Sequence, residues 1–170
     1  MSKSIILYRH AKSEWNADYG SDHKRQLNER GIKSAEIMGK VLALSNQVPE
    51  LVITSSAVRA KQTLQLSIEA GAWKCDVKED EKIYNEDTGA VIEIIKSISN
   101  KYSNVMLVGH EPKWSSLTSM LIGGGQVNFP TACMSKIEFD VNNWEYVDHR
   151  PGLLKWLLQP SFFRKGRFEF

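Results

Sequence analysis

Apolar and polar positions along the chain form blocks that predict strands and helices in alternation. Short apolar runs predict buried strands at Ser4–Tyr8, Leu51–Thr54 and Val105–Val108, and a further short strand is predicted over roughly Lys74–Val77. Apolar residues at helical spacing predict helices from Asn28 to about Leu44, over Ala57–Ala70 and Gly89–Tyr102, and from Pro112 to Leu121 or Ile122. Strands alternating with helices are typical of a mostly parallel sheet covered by helices on both faces.

Capping residues mark several helix ends. Asn28 is predicted to be the N-cap of the first helix, and either Ser55 or Ser56 that of the second, which ends at Gly71. Gly123–Gly125 follows a helix, whereas a loop that cradles phosphate precedes one. This triplet is therefore predicted to be a C-cap and turn.

The last third of the chain has a different pattern. Met134–Asp140 and Trp144–Asp148 are predicted strands joined by a turn, and an apolar stretch, Leu153–Leu158, follows a second turn. We therefore predict an α/β fold, a three-layer α/β/α sandwich with a mostly parallel central sheet and a β-rich C-terminal end. Residues 1–170 suit a single domain.

Composition narrows the class of partner. The net charge of +2 is too small to indicate nucleic acid binding, and there is no apolar run long enough to span a bilayer. The first residues lack the pattern of a signal peptide, so we expect none, and Cys75 and Cys133 are isolated residues expected to be reduced and buried. We expect a monomer in the cytoplasm.

The C-terminal segment 161–170 is basic and rich in phenylalanine: Phe162, Phe163, Phe168 and Phe170. We expect these rings to dock on the body of the protein, with a surface-binding appendage as the alternative.

Candidate chemistry lies just beyond three predicted strands. Arg9-His10 follows the first, Arg59 falls in the first helical turn after the second, and His110 follows the fourth. Because the carboxyl ends of parallel strands share one edge of a sheet, two arginines and two histidines are expected in one crevice. Arginine forks bind phosphate oxygens bidentately, which indicates a phosphate site.

Two histidines beside a phosphate suggest phosphoryl transfer. A neutral histidine can attack phosphorus and form a phosphohistidine, while a protonated one stabilises the developing charge. The histidines lack metal-ligand spacing, and arginines can supply the positive charge, so no metal or cofactor is expected. His23 and His149 lie in predicted loops and are expected at the surface.

Several motifs match a known family in chain order. Arg9–Asn16 resembles the Arg-His-Gly signature of the histidine phosphatase superfamily, with alanine in place of the glycine, as in its small SixA-like branch. The other matching motifs are Leu27–Gly31, Ser55–Thr63, Gly109–Pro112 and Leu157–Pro160. The resemblance implies a phosphoglycerate mutase-like fold.

The resemblance also implies residue roles. His10 would be the phosphorylated nucleophile, and the residues around the phosphate would be Arg9, Arg59 and His110. Arg25 matches a further phosphate-proximal arginine and Asn16 a polar contact, with Lys24 as the substitute for Arg25 if the loop register differs by one.

One family feature is doubtful here. Larger members carry a glutamate that protonates an alcohol leaving group, and Glu86, within Lys82–Gly89, is an uncertain match to it. Glu86 is a candidate proton donor, but a helix-start residue is an equally good interpretation. Loss of the acid would penalise phosphate esters more than phosphohistidine, whose imidazole leaves more easily.

We therefore predict a metal-independent phosphatase acting through phospho-His10, on phosphohistidine in proteins or on a small phosphorylated substrate. The alternatives are a small-molecule phosphomonoesterase, a phosphoglycerate mutase-like enzyme, which would need a convincing acid, and a non-catalytic phosphate-binding module. The retained nucleophile argues against the last.

Overall fold

A computed structural model describes residues 2–15, 18 and 20–165. The strands are β1 (Lys3–Arg9), β2 (Leu51–Thr54), β3 (Asp76–Glu79), β4 (Asn104–Gly109), β5 (Met134–Phe139) and β6 (Leu153–Leu158). The α-helices are α1 (Glu29–Leu44), α2 (Val58–Gly71), α3 (Lys82–Asn85), α4 (Thr88–Lys96), α5 (Lys113–Leu121) and α6 (Pro160–Lys165). Short 3-10 helices span Asp22–Lys24 and Trp144–Tyr146.

All six strands form one sheet in the order β3-β2-β4-β1-β5-β6. Strands β1 to β4 pair in parallel, whereas β5 is antiparallel to β1 and β6 is antiparallel to β5. The mostly parallel sheet with a β-rich C-terminal end is thus confirmed. In this order β1, β4 and β2 are neighbours, so their carboxyl ends meet near the middle of one sheet edge.

The two faces of the sheet bury separate hydrophobic cores. Along β1, Ile5 and Leu7 join a core that includes residues of α4 and α5, while Ile6 and Tyr8 join a core with residues of α1 and α2. This alternation is the two-residue period of a strand that is buried on both faces. It places helices on either side of the sheet and confirms the three-layer α/β/α prediction.

The helix ends follow the sequence signals only in part. Asn28 is the N-cap of α1, as predicted, and its side chain accepts the Gly31 N–H at 2.9 Å. The N-cap of α2 is Ala57, so the prediction of a serine cap is wrong. The Ser55 hydroxyl does accept the Ala57 N–H at 3.2 Å, but it also bonds His110. The glycines after α5 have positive φ angles, as a C-cap and turn require.

Several predicted boundaries are wrong. Residues 144–148 are not a strand: Trp144 begins a 3-10 helix, with its ring buried and its Nε1–H donated to the Tyr102 carbonyl at 2.9 Å. The strand paired with β5 is β6, the stretch Leu153–Leu158. β3 begins two residues later than predicted, at Asp76, and α4 ends at Lys96.

The remaining sequence expectations concern burial. Cys133 is buried and Cys75 is half-buried. In the C-terminal segment, Phe163 packs against the core on the α1–α2 side, whereas Phe162 is 67% exposed. The expectation for Phe168 and Phe170 falls outside the described residues. Among the helices that are described, none has the length and apolar character needed to cross a membrane.

Candidate active site

Main-chain hydrogen bonds continue past the strand ends and hold the predicted residues together. The His10 N–H donates to Gly109 O at 2.9 Å, which ties the end of β1 to that of β4. The Ser55 N–H donates to Val108 O at 2.9 Å and ties in the end of β2. A cleft of about 380 Å³ opens at this edge, and it is lined by all four residues predicted as catalytic: Arg9, His10, Arg59 and His110.

Two motif glycines allow close packing around the cleft. A Cβ on Gly31 would lie 2.1 Å from the Lys12 carbonyl oxygen, so only glycine lets the start of α1 approach the loop after β1. A Cβ on Gly109 would lie 2.6 Å from the Trp114 ring. These contacts explain, in steric terms, why glycine stands at both positions.

His10 presents a nucleophilic nitrogen. Its Nδ1 lies 2.7 Å from Ala11 O, and because a carbonyl can only accept, Nδ1 carries the proton. Nε2 therefore has the lone pair, which accepts the Arg59 Nε–H at 3.3 Å. Burial and, to a smaller extent, the nearby Arg59 and Arg9 charges lower the His10 pKa from 6.5 to about 3, against the opposing effect of the Ala11 bond. His10 is therefore neutral near pH 7.

His110 lies beside His10, with ring centroids 5.1 Å apart. Its Nε2 lies 2.7 Å from the Ser55 hydroxyl, and its buried Nδ1 has no hydrogen-bond partner among the described residues. Burial, then the neighbouring His10 and Arg59, lower the His110 pKa to about 2. The protonated second histidine considered from the sequence is thus disfavoured here, and His110 is a neutral group.

The two predicted arginines both line the cleft, and different partners hold them. Arg59, in the first turn of α2, is buried, and its Nε lies 3.3 Å from His10 Nε2. Arg9 donates one Nη–H to the Phe129 carbonyl at 2.8 Å, while its buried Nε lacks a partner within the described chain. The arrangement leaves guanidinium donors beside a nucleophile, which suits a phosphoryl group.

A half-exposed aspartate that the sequence analysis missed organises one wall of the cleft. Asp22 accepts from Arg59 at 2.9 Å, from Arg25 at 2.8 Å and from the Tyr84 hydroxyl at 3.0 Å. Partial burial would raise its pKa, but the hydrogen bonds from Arg25 and Tyr84 and the charge of Arg59 outweigh this and lower it to about 2. Asp22 is therefore a fixed anion between Arg59 and Arg25.

Arg25 lies where the resemblance expected it, in the cleft lining, whereas Lys24 is exposed and does not line it. Arg25 donates to Ser13 Oγ and Glu14 O, both at 2.8 Å, and stacks on the Trp15 ring at 3.6 Å. Asn16 falls outside the described residues, so its predicted phosphate contact stays a prediction.

His23 is closer to the site than its loop position suggested. It is half-buried, not a surface residue, because its Nε2 lies 3.0 Å from Ser56 Oγ and its ring meets the Tyr84 ring edge-on at 4.9 Å. Tyr84 in turn meets the His110 ring at 5.4 Å. His149 is exposed, as expected. The sequence signal for Asp22 was its spacing of three residues from Arg25, which suits an ion pair.

The carboxylates of this region differ in their distance from the cleft. Glu86, the candidate proton donor, is exposed between α3 and α4 and is not part of the lining. Glu111 does line the cleft, and its two oxygens accept from the Ser115 N–H at 2.9 Å and the Ser115 hydroxyl at 2.7 Å. Within the described ranges, no three His, Cys, Asp or Glu side chains cluster in a way that would hold a metal ion.

Comparisons with known proteins show which proteins this chain resembles. Residues 5–102 match the family model of the histidine phosphatase superfamily (branch 1). An uncharacterized protein of Mycobacterium leprae is 33% identical over 153 residues, which cover 82% of this chain and 91% of that protein.

Solved structures of SixA proteins are also similar. The chain shares 28% identity with SixA from Agrobacterium tumefaciens, with a TM-score of 0.80 over 93% of this chain and 98% of the other. The protein histidine phosphatase SixA complexed with tungstate gives a TM-score of 0.81 at 21% identity, covering 94% and 99% of the two chains, and so shares the fold.

Proposed function

Because this chain belongs to the histidine phosphatase superfamily and is a phosphatase, we propose that it acts by double displacement through a phosphohistidine on His10. The observation that carries this proposal is the state of His10. Its ring is 8% exposed and neutral, and the Nε2 lone pair lies 3.3 Å from the guanidinium Nε of Arg59. A nucleophile beside a fixed cation is what transfer of an anionic phosphoryl group needs.

The two steps use the same nitrogen. First, His10 Nε2 attacks phosphorus, and the bond to the leaving group breaks with its electron pair on the leaving atom. Second, water attacks the phosphohistidine, the N–P electrons return to Nε2, and the proton of the water passes to the product phosphate or to solvent. Arg9, Arg59 and His110 stabilise the phosphoryl oxygens, and the Ala11 carbonyl stabilises the imidazolium through Nδ1–H.

The leaving group suggests the substrate class. A general acid that protonates the leaving group contributes about 10²–10⁴ in rate. An enzyme without such an acid is therefore slowed most when the leaving group is an alkoxide. Asp22 is ionised near neutral pH and Glu86 lies outside the cleft lining. We therefore assign phosphohistidine in proteins as the preferred substrate, a choice supported by the fold shared with the protein histidine phosphatase SixA.

One observation favours a second candidate, a small-molecule phosphomonoesterase. Glu111 lines the cleft and is a carboxylate that a substrate can reach. If Glu111 supplied a proton to the leaving oxygen, an ordinary ester would be hydrolysed as well. Glu86 fills the same role only if the segment between α3 and α4 moves toward the cleft.

The proposal is tested by trapping the intermediate. The protein is incubated briefly with a ³²P-labelled phosphodonor and quenched in alkali, where phosphohistidine is stable. We expect label in the wild type and none in His10→Gln, with His149→Gln, an exposed histidine, as the matched control. Absence of both label and turnover in the wild type would contradict the enzyme proposal and favour a non-catalytic phosphate-binding module.

Substrate choice is tested separately by comparing a phosphohistidine protein with a simple phosphate ester. We expect faster turnover of the former, in the wild type, in Glu86→Gln and in Glu111→Gln. Loss of ester hydrolysis in one of the two variants would identify that glutamate as the acid and favour the phosphomonoesterase.

We also propose that the protein is a monomer and acts in the cytoplasm. Analytical sedimentation tests the first point and cell fractionation the second.

A further inference from the structure

Ser55 immediately follows β2 and lies within hydrogen-bond distance of His110. It is fully buried, and its hydroxyl oxygen is 2.7 Å from His110 Nε2. The same oxygen accepts the Ala57 N–H at 3.2 Å, at the start of α2. Ser55 thus links the second histidine to the helix that carries Arg59.

Counting hydrogens decides which partner donates. If Nε2 carried the His110 proton, the Ser55 hydroxyl would accept twice, and its own hydrogen would have no acceptor among the described groups, in a place shielded from water. If the hydroxyl donates to Nε2, every group around Ser55 is satisfied. Either tautomer leaves one buried donor unpaired, the Ser55 hydroxyl in the first arrangement and His110 Nδ1–H in the second, but the first also leaves the Nδ1 lone pair unpaired. Because each unpaired buried polar group costs about 1–3 kcal/mol, the second arrangement is favoured.

A hydroxyl that donates to Nε2 puts the proton of a neutral imidazole on Nδ1. Nδ1 is the one nitrogen of His110 that has no partner in the described structure, and His110 lines the cleft next to His10. An oxygen bound beside the nucleophile would supply the partner that this buried donor lacks.

We propose that Ser55 is a positioning residue: it holds His110 in the neutral Nδ1–H tautomer, so that His110 donates this hydrogen to an oxygen of the transferring phosphoryl group. The proposal rests on the phosphatase function proposed above. It assigns His110 the role of an uncharged donor instead of a second cation.

The charges around His110 support this role. Burial, His10, Arg59 and Lys113 all disfavour the imidazolium and lower the His110 pKa, and only Asp22 opposes them. Tyr84 meets the ring edge-on and carries no charge near pH 7. A neutral His110 also spares His10, 5.1 Å away, a further positive charge, which would draw electron density from the attacking Nε2.

Long-range ¹H–¹⁵N NMR of the histidine rings tests the proposal, because it identifies which ring nitrogen is protonated. Signals of His110 are assigned by comparison with His110→Gln. We expect the proton on Nδ1 in the wild type, a shift toward Nε2–H in Ser55→Ala, and a return to Nδ1–H in Ser55→Thr. Ser56→Ala, whose hydroxyl bonds His23 instead, is the matched control and keeps the wild-type pattern.

A wild-type spectrum with the proton on Nε2, or on both nitrogens, would overturn the proposal, and this outcome does not depend on whether the variants fold. An unchanged Nδ1–H tautomer in Ser55→Ala would overturn it as well. These spectra are recorded without substrate, so they test the role of Ser55 even if no phosphoenzyme forms. Absence of a phosphoenzyme would refute only the proposed function.

Kinetics give a second readout. Loss of one preorganised donor lowers kcat by about 10²–10³-fold, and we expect Ser55→Ala near the lower end, with KM changed little and Ser55→Thr restoring most of the rate. An equal kcat in wild type and Ser55→Ala would contradict the role. A change confined to KM would do the same, because it would indicate a ground-state effect.

Discussion

The floor and the wall of the cleft differ in the charge of their titratable groups: the floor histidines are neutral, whereas Asp22 on the wall is ionised. The floor consists of His10, His110 and Arg59, all of which are less than 10% exposed. The wall consists of Trp15, Asp22 and Arg25, of which Trp15 and Asp22 are open to solvent. Burial keeps the floor histidines neutral, with pKa values of about 3 and 2, whereas on the wall Asp22 stays ionised with a pKa of about 2.

This contrast shows how one cleft serves two needs. A nucleophilic imidazole must be unprotonated, which a dry environment enforces. Arginines that bind an anion must be kept oriented, and the Asp22 carboxylate does this for Arg25 on the wall and Arg59 on the floor with two charge-assisted hydrogen bonds. Changes to the floor should therefore abolish chemistry, whereas changes to the wall should weaken binding.

The largest effect is expected for Arg59→Ala. Removal of the guanidinium beside His10 takes away the nearest cation to the transferring phosphoryl group, so kcat/KM should fall by about 10³-fold or more. Steady-state kinetics measure this. Lys61→Ala is the matched control, since Lys61 lies on the same helix but pairs with Glu79 at the surface. Equal losses in the two variants would indicate that helix stability, not phosphoryl stabilisation, is responsible.

Acid should destabilise the floor. Below pH 6.5 the unfolded state binds protons that the buried His10 and His110 do not, so the free energy of unfolding falls as pH drops from about 6.5 toward 3. Between pH 7 and pH 5 the loss is about 2 kcal/mol for each histidine. Urea unfolding should show that His10→Gln loses about 2 kcal/mol less than the wild type over this range. An identical loss in both proteins would show that His10 is protonated in the fold.

A smaller effect is expected when the wall loses its carboxylate. In Asp22→Ala, Arg59 and Arg25 lose a shared partner, so tungstate affinity and kcat/KM should each fall by about tenfold, the equivalent of one charge-assisted hydrogen bond at a half-exposed site. The phosphoenzyme should still form. Isothermal titration with tungstate measures the affinity, and tighter binding in the variant would reveal that Asp22 competes with the anion.

The smallest effect is expected at the cleft mouth. Trp15→Ala removes the stacking of Arg25 on the indole, a contact worth about 0.5–1 kcal/mol at an exposed site. We therefore expect KM to change by about two- to fivefold, with kcat unchanged. A fall in kcat would instead indicate that Trp15 contributes to the chemical step.

The same division explains what the sequence could reveal. His10, Arg59 and His110 follow buried strands, and parallel pairing brings such positions together regardless of loop conformation. Asp22 and Tyr84, in contrast, are 62 residues apart and meet through two short helices outside the sheet, the 3-10 helix Asp22–Lys24 and α3. No local period encodes such a contact, so the half-buried position of His23 and the role of Asp22 were not predicted, and Arg25 was expected only from the resemblance.

The strand predicted at residues 144–148 was wrong because Trp144 is buried in another conformation. Trp144 begins a stretch that is apolar enough to suggest a strand, but its ring fills the core and its N–H needs the Tyr102 carbonyl. A short 3-10 helix meets both needs. The pairing partner of β5 is instead β6, an apolar stretch whose pattern alone does not indicate a strand.

Attack by neutral His10 through Nε2 would leave the phosphate on that ring nitrogen. Because Nδ1–H donates to Ala11 O, only Nε2 is free to bond phosphorus. We predict that ³¹P NMR and peptide mapping of the alkali-quenched phosphoenzyme will show a single phosphohistidine, at His10 and substituted on Nε2. Phosphate on Nδ1, or on another residue such as His110, would contradict the account.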